Sequence, residues 1–221
     1  MAVGRCLGTV AAPSGGEARA EIWCALVGEH VAALDRYSGE YLTDEERERS
    51  LRYRSRAAAE RYVVTRSLVR LVLADRLGRA PRDVPVNRTD TGKPIVTGGV
   101  HFNVSHSGDL ILLGVSDQRD IGIDVERRRS IPRVGALVRR WLDPVERDEV
   151  ARLVRGGSTD SDAFLRVWSV KEARLKALGV GIGGQSRAGE LRRVEVRALD
   201  ALLKTIPTPD DEGYVGAVAF A

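Results

Sequence analysis

The sequence predicts an α+β protein, and three observations carry that reading. Short segments alternate apolar and polar residues with a period of two, most clearly Ile121-Gly122-Ile123-Asp124-Val125-Glu126, as half-buried strands do. Two long segments, residues 57–77 and 160–178, repeat apolar side chains at helical spacing. Each runs out at a Leu-Gly pair, Leu77-Gly78 and Leu178-Gly179, where glycine supplies a helix stop. Laid over each other at an offset of about one hundred residues, the two halves match weakly, with Leu42, Glu46 and Arg47 opposite Leu142, Glu146 and Arg147. Duplication of one α/β unit produces such a match, and so does chance agreement between two arginine-rich helices. Under duplication, the ligand cleft is expected between the halves.

In order along the chain, residues 1–20 are rich in glycine and alanine and read as a loose lead-in. Residues 21–27 read as a first strand, followed by a helical stretch. Thr43-Asp44-Glu45-Glu46 is a helix start of the capping-box type, and charge dominates from there to Arg56. The first long helix then carries Val63, Val64, Leu68, Leu71, Val72 and Ala74 at helical spacing. Pro81, Pro85 and Thr89-Asp90-Thr91-Gly92-Lys93-Pro94 mark a connecting loop. Residues 100–104 and 110–115 read as strands around a turn, Ser105-His106-Ser107-Gly108-Asp109. The strand from Ile121 turns Ile123 and Val125 to one face and Asp124 and Glu126 to the other. Asp143-Pro144 opens a helix with proline in its first turn, and Asp160 or Ser161 caps the second long helix. The glycine run from Gly179 to Gly184 follows a helix instead of a strand, so it reads as a flexible connector and not as a dinucleotide fingerprint. Residues 192–199 and 214–220 close the chain as strands. The expected division is a lead-in over 1–20, one α/β subdomain over 21–118 and a second over 119–221.

Composition narrows the function. With 221 residues, 43% of them hydrophobic and 30% charged, the chain can bury a core and is not a disordered tail. Lys and Arg number 35 against 31 Asp and Glu, a net charge of +4. This suits a small polyanionic ligand or an acidic protein partner and is too modest to demand nucleic acid. Two cysteines, Cys6 and Cys24, make neither a disulfide scaffold nor a zinc site. The first 20 residues lack the apolar stretch of a signal peptide, and no window is long and apolar enough to span a membrane. A soluble, cytoplasmic protein is expected.

Asp124 and Glu126, two residues apart on a strand, project their carboxylates from one face. Glu172 stands four residues before Lys176 on the second long helix, on one stripe, with Phe164, Val167, Leu175 and Leu178 on another. If Glu172 meets the strand acids, the three carboxylates form an oxygen-only site suited to Mg²⁺ with a substrate phosphate, and Lys176 adds a point charge. The same residues read equally as a solvated ion pair and the wet face of a sheet. Of the three histidines, His30 reads as surface and His101 as packed. His106 lies in a turn whose hydroxyls and N–H groups could cradle phosphate. Arg47, Arg49, Arg52, Arg54, Arg56 and Arg61 form a basic cluster, either a solvated face or a polyphosphate landing site. A magnesium-dependent phosphoesterase uses a similar acid set. A nucleic-acid module fits least, because only 5% of residues are aromatic.

Gly92-Lys93-Pro94, then Phe102-Asn103-Val104-Ser105-His106-Ser107, then Gly122-Ile123-Asp124-Val125-Glu126, then Trp168-Ser169-Val170-Lys171-Glu172-Ala173-Arg174-Leu175-Lys176-Ala177 stand in an order and spacing that resembles the Sfp-type 4′-phosphopantetheinyl transferases. The resemblance covers residues 43 to about 184, roughly two-thirds of the chain. It implies a pseudo-duplicated α+β fold of two similar subdomains in one chain, with coenzyme A bound between them. It implies transfer of the phosphopantetheine arm to a serine of an acyl or peptidyl carrier protein, with release of 3′,5′-ADP. Asp124, Glu126 and Glu172 would hold Mg²⁺ and Lys176 would contact phosphate. Ser105 and His106, with Asn103 of the same motif, would grip the coenzyme. Thr91, Gly92, Lys93 and Pro94 would form the adenine-side loop, and Arg49 and Arg56 would meet the 3′-phosphate. Glu172, Lys176 and His106 would carry the chemistry, and Arg127, Arg128, Arg129, Arg133, Arg139 and Arg140, with Trp141, would dock the acidic carrier. An internally duplicated site needs no second subunit, so a monomer is expected.

Overall fold

The computed structural model describes residues 3–15, 17–181, 188–208 and 212–221. In the first half the chain runs β1 (Arg5–Ala11), β2 (Arg19–Leu26), a 3₁₀ helix (Val27–Ala33), α1 (Leu34–Tyr41), α2 (Asp44–Leu51), α3 (Arg56–Leu77), a 3₁₀ turn (Pro81–Asp83), β3 (Val86–Arg88), β4 (Pro94–Val96), β5 (His101–Ser107) and β6 (Leu110–Ser116). The second half holds β7 (Ile121–Arg127), α4 (Val134–Trp141), α5 (Pro144–Arg155), α6 (Asp160–Ala177), α7 (Ala188–Leu191), β8 (Glu195–Ala198), α8 (Asp200–Leu203) and β9 (Tyr214–Phe220). No helix among the described residues is long and apolar enough to cross a membrane.

The fold is duplicated. The first sheet is ordered β1-β2-β6-β5 and the second β7-β9-β8, all antiparallel. In each half the first strand therefore pairs with the last and the last with the middle one, and β1 is an addition to the first half. The helices repeat the relation in chemical detail. Thr43 and Glu46 close a capping box on α2, as Asp143 and Glu146 do on α5. Each capping glutamate then reaches the long helix that follows. Glu46 accepts from Arg70 at 2.7 Å and also pairs with Arg66, and Glu146 accepts from Lys171 at 2.8 Å. The match at one hundred residues thus marks two copies of one helix-pair junction.

Glu46 is buried together with Arg70. Burial alone would raise its pKa, but the Arg70 hydrogen bond and the Arg66 and Arg70 charges hold it below the ordinary glutamate range. Removing one partner of such a buried pair leaves the other uncompensated, so Glu46→Ala is expected to cost about 3 kcal/mol. A lowered carboxyl pKa contributes stability that is fully present above the unfolded-state value, near 4.3, and is lost as pH falls through the folded-state value. The gap in melting temperature between wild type and variant should therefore narrow on acidification below about pH 4; a gap equally wide at pH 3 and pH 7 contradicts the assignment.

Several expectations are corrected. The lead-in is not loose: Arg5–Ala11 pairs with Arg19–Leu26, and a register shift between Cys6 and Gly8 breaks the alternation that would have announced a strand. His30 is buried, not superficial, with Nδ1 3.1 Å from the Tyr37 hydroxyl; it sits in a 3₁₀ helix whose spacing neither template captures. The charged stretch after Thr43 is broken between Leu51 and Arg56, where Ser55 caps α3. The connecting loop holds a small ribbon, β3 paired with β4. Strand β5 runs on through Ser107, leaving Gly108-Asp109 as the turn, with Gly108 at φ +59°. Thr159, and neither Asp160 nor Ser161, caps α6 by accepting from Asp162 N. Residues 192–199 yield only Glu195–Ala198 as strand. Of the connector from Gly179 to Gly184, residues 182–184 lie outside the described residues.

One core lies between the first sheet and α1 and α3, with Tyr37, Leu68 and Leu73 fully buried against Ile111 and Leu113. A second fills the space where the sheets face each other, joining Ile22, Leu110 and Leu112 to Ile123, Val125, Val218 and Phe220. The apolar face of β7 read from the alternation is this shared core. On its other face α6 approaches through small residues, Ala173 and Ala177 against Ala217 and Ala219. The closest approach is at Gly122, where a Cβ would fall on the backbone of Ala173 and Ala177.

Candidate active site

The site forms where the edge strand of the first sheet, β5, meets the edge strand of the second, β7. Exposed strand edges leave N–H groups without partners, and here side chains supply them. Asn103 Oδ1 accepts from Ile123 N at 3.0 Å, Ser105 Oγ from Val125 N at 3.3 Å and Ser107 Oγ from Arg127 N at 2.9 Å. This row fixes the register of one half against the other and sets Asp124 and Glu126 beside β5.

Helix α6 closes the site from above. Lys176 Nζ donates to Asp124 Oδ1 at 2.7 Å, to Ser105 Oγ at 3.1 Å and to the Ile123 carbonyl at 3.2 Å. Ser105 Oγ donates to Asp124 Oδ1 at 2.9 Å. Asp124 is buried, and Glu172, one turn before Lys176, is half-buried. Two carboxylate oxygens, Asp124 Oδ2 and Glu172 Oε1, are buried with no hydrogen-bond partner among the described residues. Burial raises the pKa of Asp124 despite Lys176 and Ser105. Glu172 is raised by burial and then by the Asp124 charge, so the two acids share one electrostatic environment. Glu126 lies further along β7, where its Oε2 accepts from Ser107 Oγ at 3.1 Å and from Arg129 at 3.0 Å.

These residues fit a hard divalent cation. Buried carboxylate oxygens without donors are costly unless a positive group meets them, and oxygen-only donors suit Mg²⁺. No three Asp, Glu, His or Cys side chains among the described residues form a ready-made cage. Mg²⁺ is commonly held by one or two carboxylates together with waters and substrate phosphate oxygens.

The other predicted residues lie on β5, the α2–α3 segment, the β3–β4 ribbon and the segment after β7. His106 shares the face of β5 that carries Phe102 and Val104; its pKa is lowered by burial first, then by Arg61 of α3, with Lys176 also contributing. Lys93 spans the halves, donating to Asp120 Oδ1 at 3.1 Å and to the Ala177 carbonyl at 3.0 Å. It thereby ties the loop of Thr91, Gly92 and Pro94 to the end of α6. Arg49 lies over the Tyr62 ring at 5.7 Å and, with Glu45, Arg52 and Tyr53, lines an open hollow of about 460 Å³. Arg56 is exposed and pairs with Glu60 at 2.7 Å. In the proposed docking segment, Arg128 pairs with Asp162 and Asp200 and Arg129 with Glu126. Arg133, Arg139 and Arg140 stay exposed, Arg140 lying 5.0 Å over the Trp141 ring. The Asn103, Ser105 and Ser107 row was not anticipated as a strand cap. Its signal was present as polar residues at a period of two on β5, but reading it needs the facing edge of β7.

A duplicated α+β scaffold here brings buried acids and a lysine from a strand and a distant helix to the seam of its halves, which marks a protein with a buried, charged site at that seam. Comparison with known proteins specifies its class. Residues 120–212 match the model of the 4′-phosphopantetheinyl transferase superfamily and residues 35–118 the model of the N-terminal region of a 4′-phosphopantetheinyl transferase. A phosphopantetheinyl transferase of Thraustochytrium sp. is 34% identical over 164 residues, covering 66% of this chain and 56% of that protein. The 4′-phosphopantetheinyl transferase HetI of Nostoc sp. is 32% identical over 195 residues, 81% and 78% of the two chains. A 4′-phosphopantetheinyl transferase of Bacillus subtilis is 30% identical over 140 residues, 62% and 60%. The chain spans less than two-thirds of the length of the first and last of these relatives. It belongs to the 4′-phosphopantetheinyl transferase superfamily.

Proposed function

We propose that the protein transfers the 4′-phosphopantetheine group of coenzyme A to a serine of an acyl or peptidyl carrier protein, with Mg²⁺, and releases 3′,5′-ADP. The observation that supports this most directly is the pair of buried oxygens, Asp124 Oδ2 and Glu172 Oε1, which have no hydrogen-bond partner among the described residues and belong to acids of β7 and α6 close enough to feel each other's charge. Asp124, Glu126 and Glu172 would hold Mg²⁺, which when bound would supply positive charge against the pyrophosphate.

The residues of the chain account for the remaining steps. A serine hydroxyl is a weak nucleophile near neutral pH, and Glu172, whose pKa burial and the Asp124 charge raise and whose Oε1 has no hydrogen-bond partner among the described residues, serves as the proton acceptor. The carrier serine Oγ forms a bond to the β-phosphorus, its proton passes to Glu172, and the bond from that phosphorus to the 5′-phosphate oxygen of 3′,5′-ADP breaks. Lys176 and His106 suit the stabilisation of charge that develops on the phosphate oxygens. Arg49 and Arg56 on the α2–α3 surface suit the 3′-phosphate. Thr91, Gly92, Lys93 and Pro94 suit the adenine side, and Asn103 and Ser105 hold the strand beneath the coenzyme. Arg133, Arg139, Arg140 and Trp141 offer a basic, partly aromatic face to an acidic carrier. The duplicated site draws its groups from one chain and works as a monomer.

The direct test incubates the protein with coenzyme A, Mg²⁺ and apo carrier proteins and weighs the carriers. A phosphopantetheine-sized mass gain is expected, and no gain across a panel of carriers refutes the proposal. Glu172→Gln should fold normally, transfer about 100-fold more slowly and lose the acidic limb of the pH–rate profile. A variant with the wild-type rate and profile removes Glu172 as the base.

A further inference from the structure

The row that joins β5 to β7 does more than close a sheet edge. Its three rungs stand two residues apart, at Asn103, Ser105 and Ser107, and end on the N–H groups of Ile123, Val125 and Arg127. On two rungs the same hydroxyl also reaches an acid: Ser105 Oγ donates to Asp124 Oδ1, and Ser107 Oγ donates to Glu126 Oε2 at 3.1 Å. Each serine thus takes the N–H of the residue after an acid and gives its one proton to the acid itself. A hydroxyl has a single donor, so the backbone bond aims that donor and the carboxylate is fixed relative to the strand that carries it. Asp124 is short, buried and also held by Lys176. Glu126 is longer and partly exposed, and its other partner, Arg129, is a solvent-facing side chain. Ser107 is therefore the rigid restraint on Glu126.

We propose that Ser107 is a positioning residue for Glu126, orienting its carboxylate toward the divalent cation. This rests on the reading of Glu126 as a metal ligand. Partners of this kind, which bond a ligand and not the ion, typically change metal affinity by 10-fold to 100-fold when removed.

The test titrates the folded protein with Mn²⁺ alone, a cation that takes the same oxygen donors, by calorimetry or by the loss of the free-ion paramagnetic signal. Ser107→Ala should bind Mn²⁺ about 10-fold more weakly, and Ser107→Thr, which keeps the hydroxyl on a residue suited to a strand, should restore binding. Glu46→Ala, which breaks the buried pair with Arg70 away from the site, should lower the melting temperature while leaving Mn²⁺ affinity of the folded protein unchanged. Equal losses of affinity in Glu46→Ala and Ser107→Ala would reduce the effect to lost stability and overturn the inference. So would wild-type affinity in Ser107→Ala, or a Ser107→Thr variant as weak as Ser107→Ala. If wild type binds no Mn²⁺ either alone or with coenzyme A present, whose phosphate oxygens complete the coordination, the metal reading fails, and the inference with it. Should Ser107→Ala not fold, the threonine variant decides alone: wild-type affinity with wild-type stability supports the assignment, and a weakened site in a stable protein overturns it.

Discussion

Replacing Asp124 by asparagine is expected to lower phosphopantetheine transfer by about 1,000-fold, the upper range for loss of one charge-stabilising group, while the melting temperature holds or rises. The two effects have one cause. Asp124 sits in a buried pocket that raises its pKa even with Lys176 at 2.7 Å. The folded state therefore holds a proton on this group more tightly than the unfolded chain does. Stability falls as pH climbs from the unfolded-state value through the folded-state value, and at neutral pH the ionised form is a burden on the fold. Asparagine keeps an acceptor for Ser105 and Lys176 and removes the buried negative charge. The strain is tolerated for chemistry, a common relation between stability and activity. Transfer rates and calorimetry on the same samples check it. A variant that transfers normally places the cation elsewhere, and one that loses activity only by melting much earlier assigns Asp124 to the core.

Gly122→Ala is expected to cost more than about 4 kcal/mol, in the range reserved for severe core overpacking. A Cβ there would collide with backbone at Ala173 and Ala177 and stand 2.9 Å from the Lys176 carbonyl carbon. No rotamer change relieves a clash with backbone, so α6 must lift from β7. Because Glu172 and Lys176 ride on that helix, any folded remnant should also lose the Lys176–Asp124 contact and its activity at low temperature. A drop of about 10 °C or more in melting temperature is expected for a chain of this size. A variant that melts within about 2 °C of wild type would show that the helix can shift without penalty.

The sheets and helices were largely legible because period and punctuation are local. The capping boxes at Thr43 and Asp143, the stop at Gly78 and the strands at Ile121 and Tyr214 follow from residues within one or two turns of each other. Where local order was interrupted the reading failed. The bulge at Cys6 and Gly8 hid β1, and the hydroxyls of Ser105 and Ser107, whose spacing suits a turn as well as a strand, placed the hairpin bend too early. Among site residues, Asp124, Glu126, Glu172 and Lys176 were legible as types at suggestive spacings. What each one touches was not.

The sequence by itself determined the class of structure, the two long helices, the acids on one face of β7 and the Glu172–Lys176 stripe, since all of these depend on periodicity along a single element. Only the tertiary structure decided that Lys176 reaches across to Asp124 instead of pairing along its own helix. It also decided that β5 caps β7 through side chains and that Arg128 is taken up by Asp162 and Asp200 of the same chain. Those outcomes turn on which edges and faces meet across residues 19 to 72 positions apart. Contacts at that range are set by packing of the whole core and leave no periodic trace in the chain.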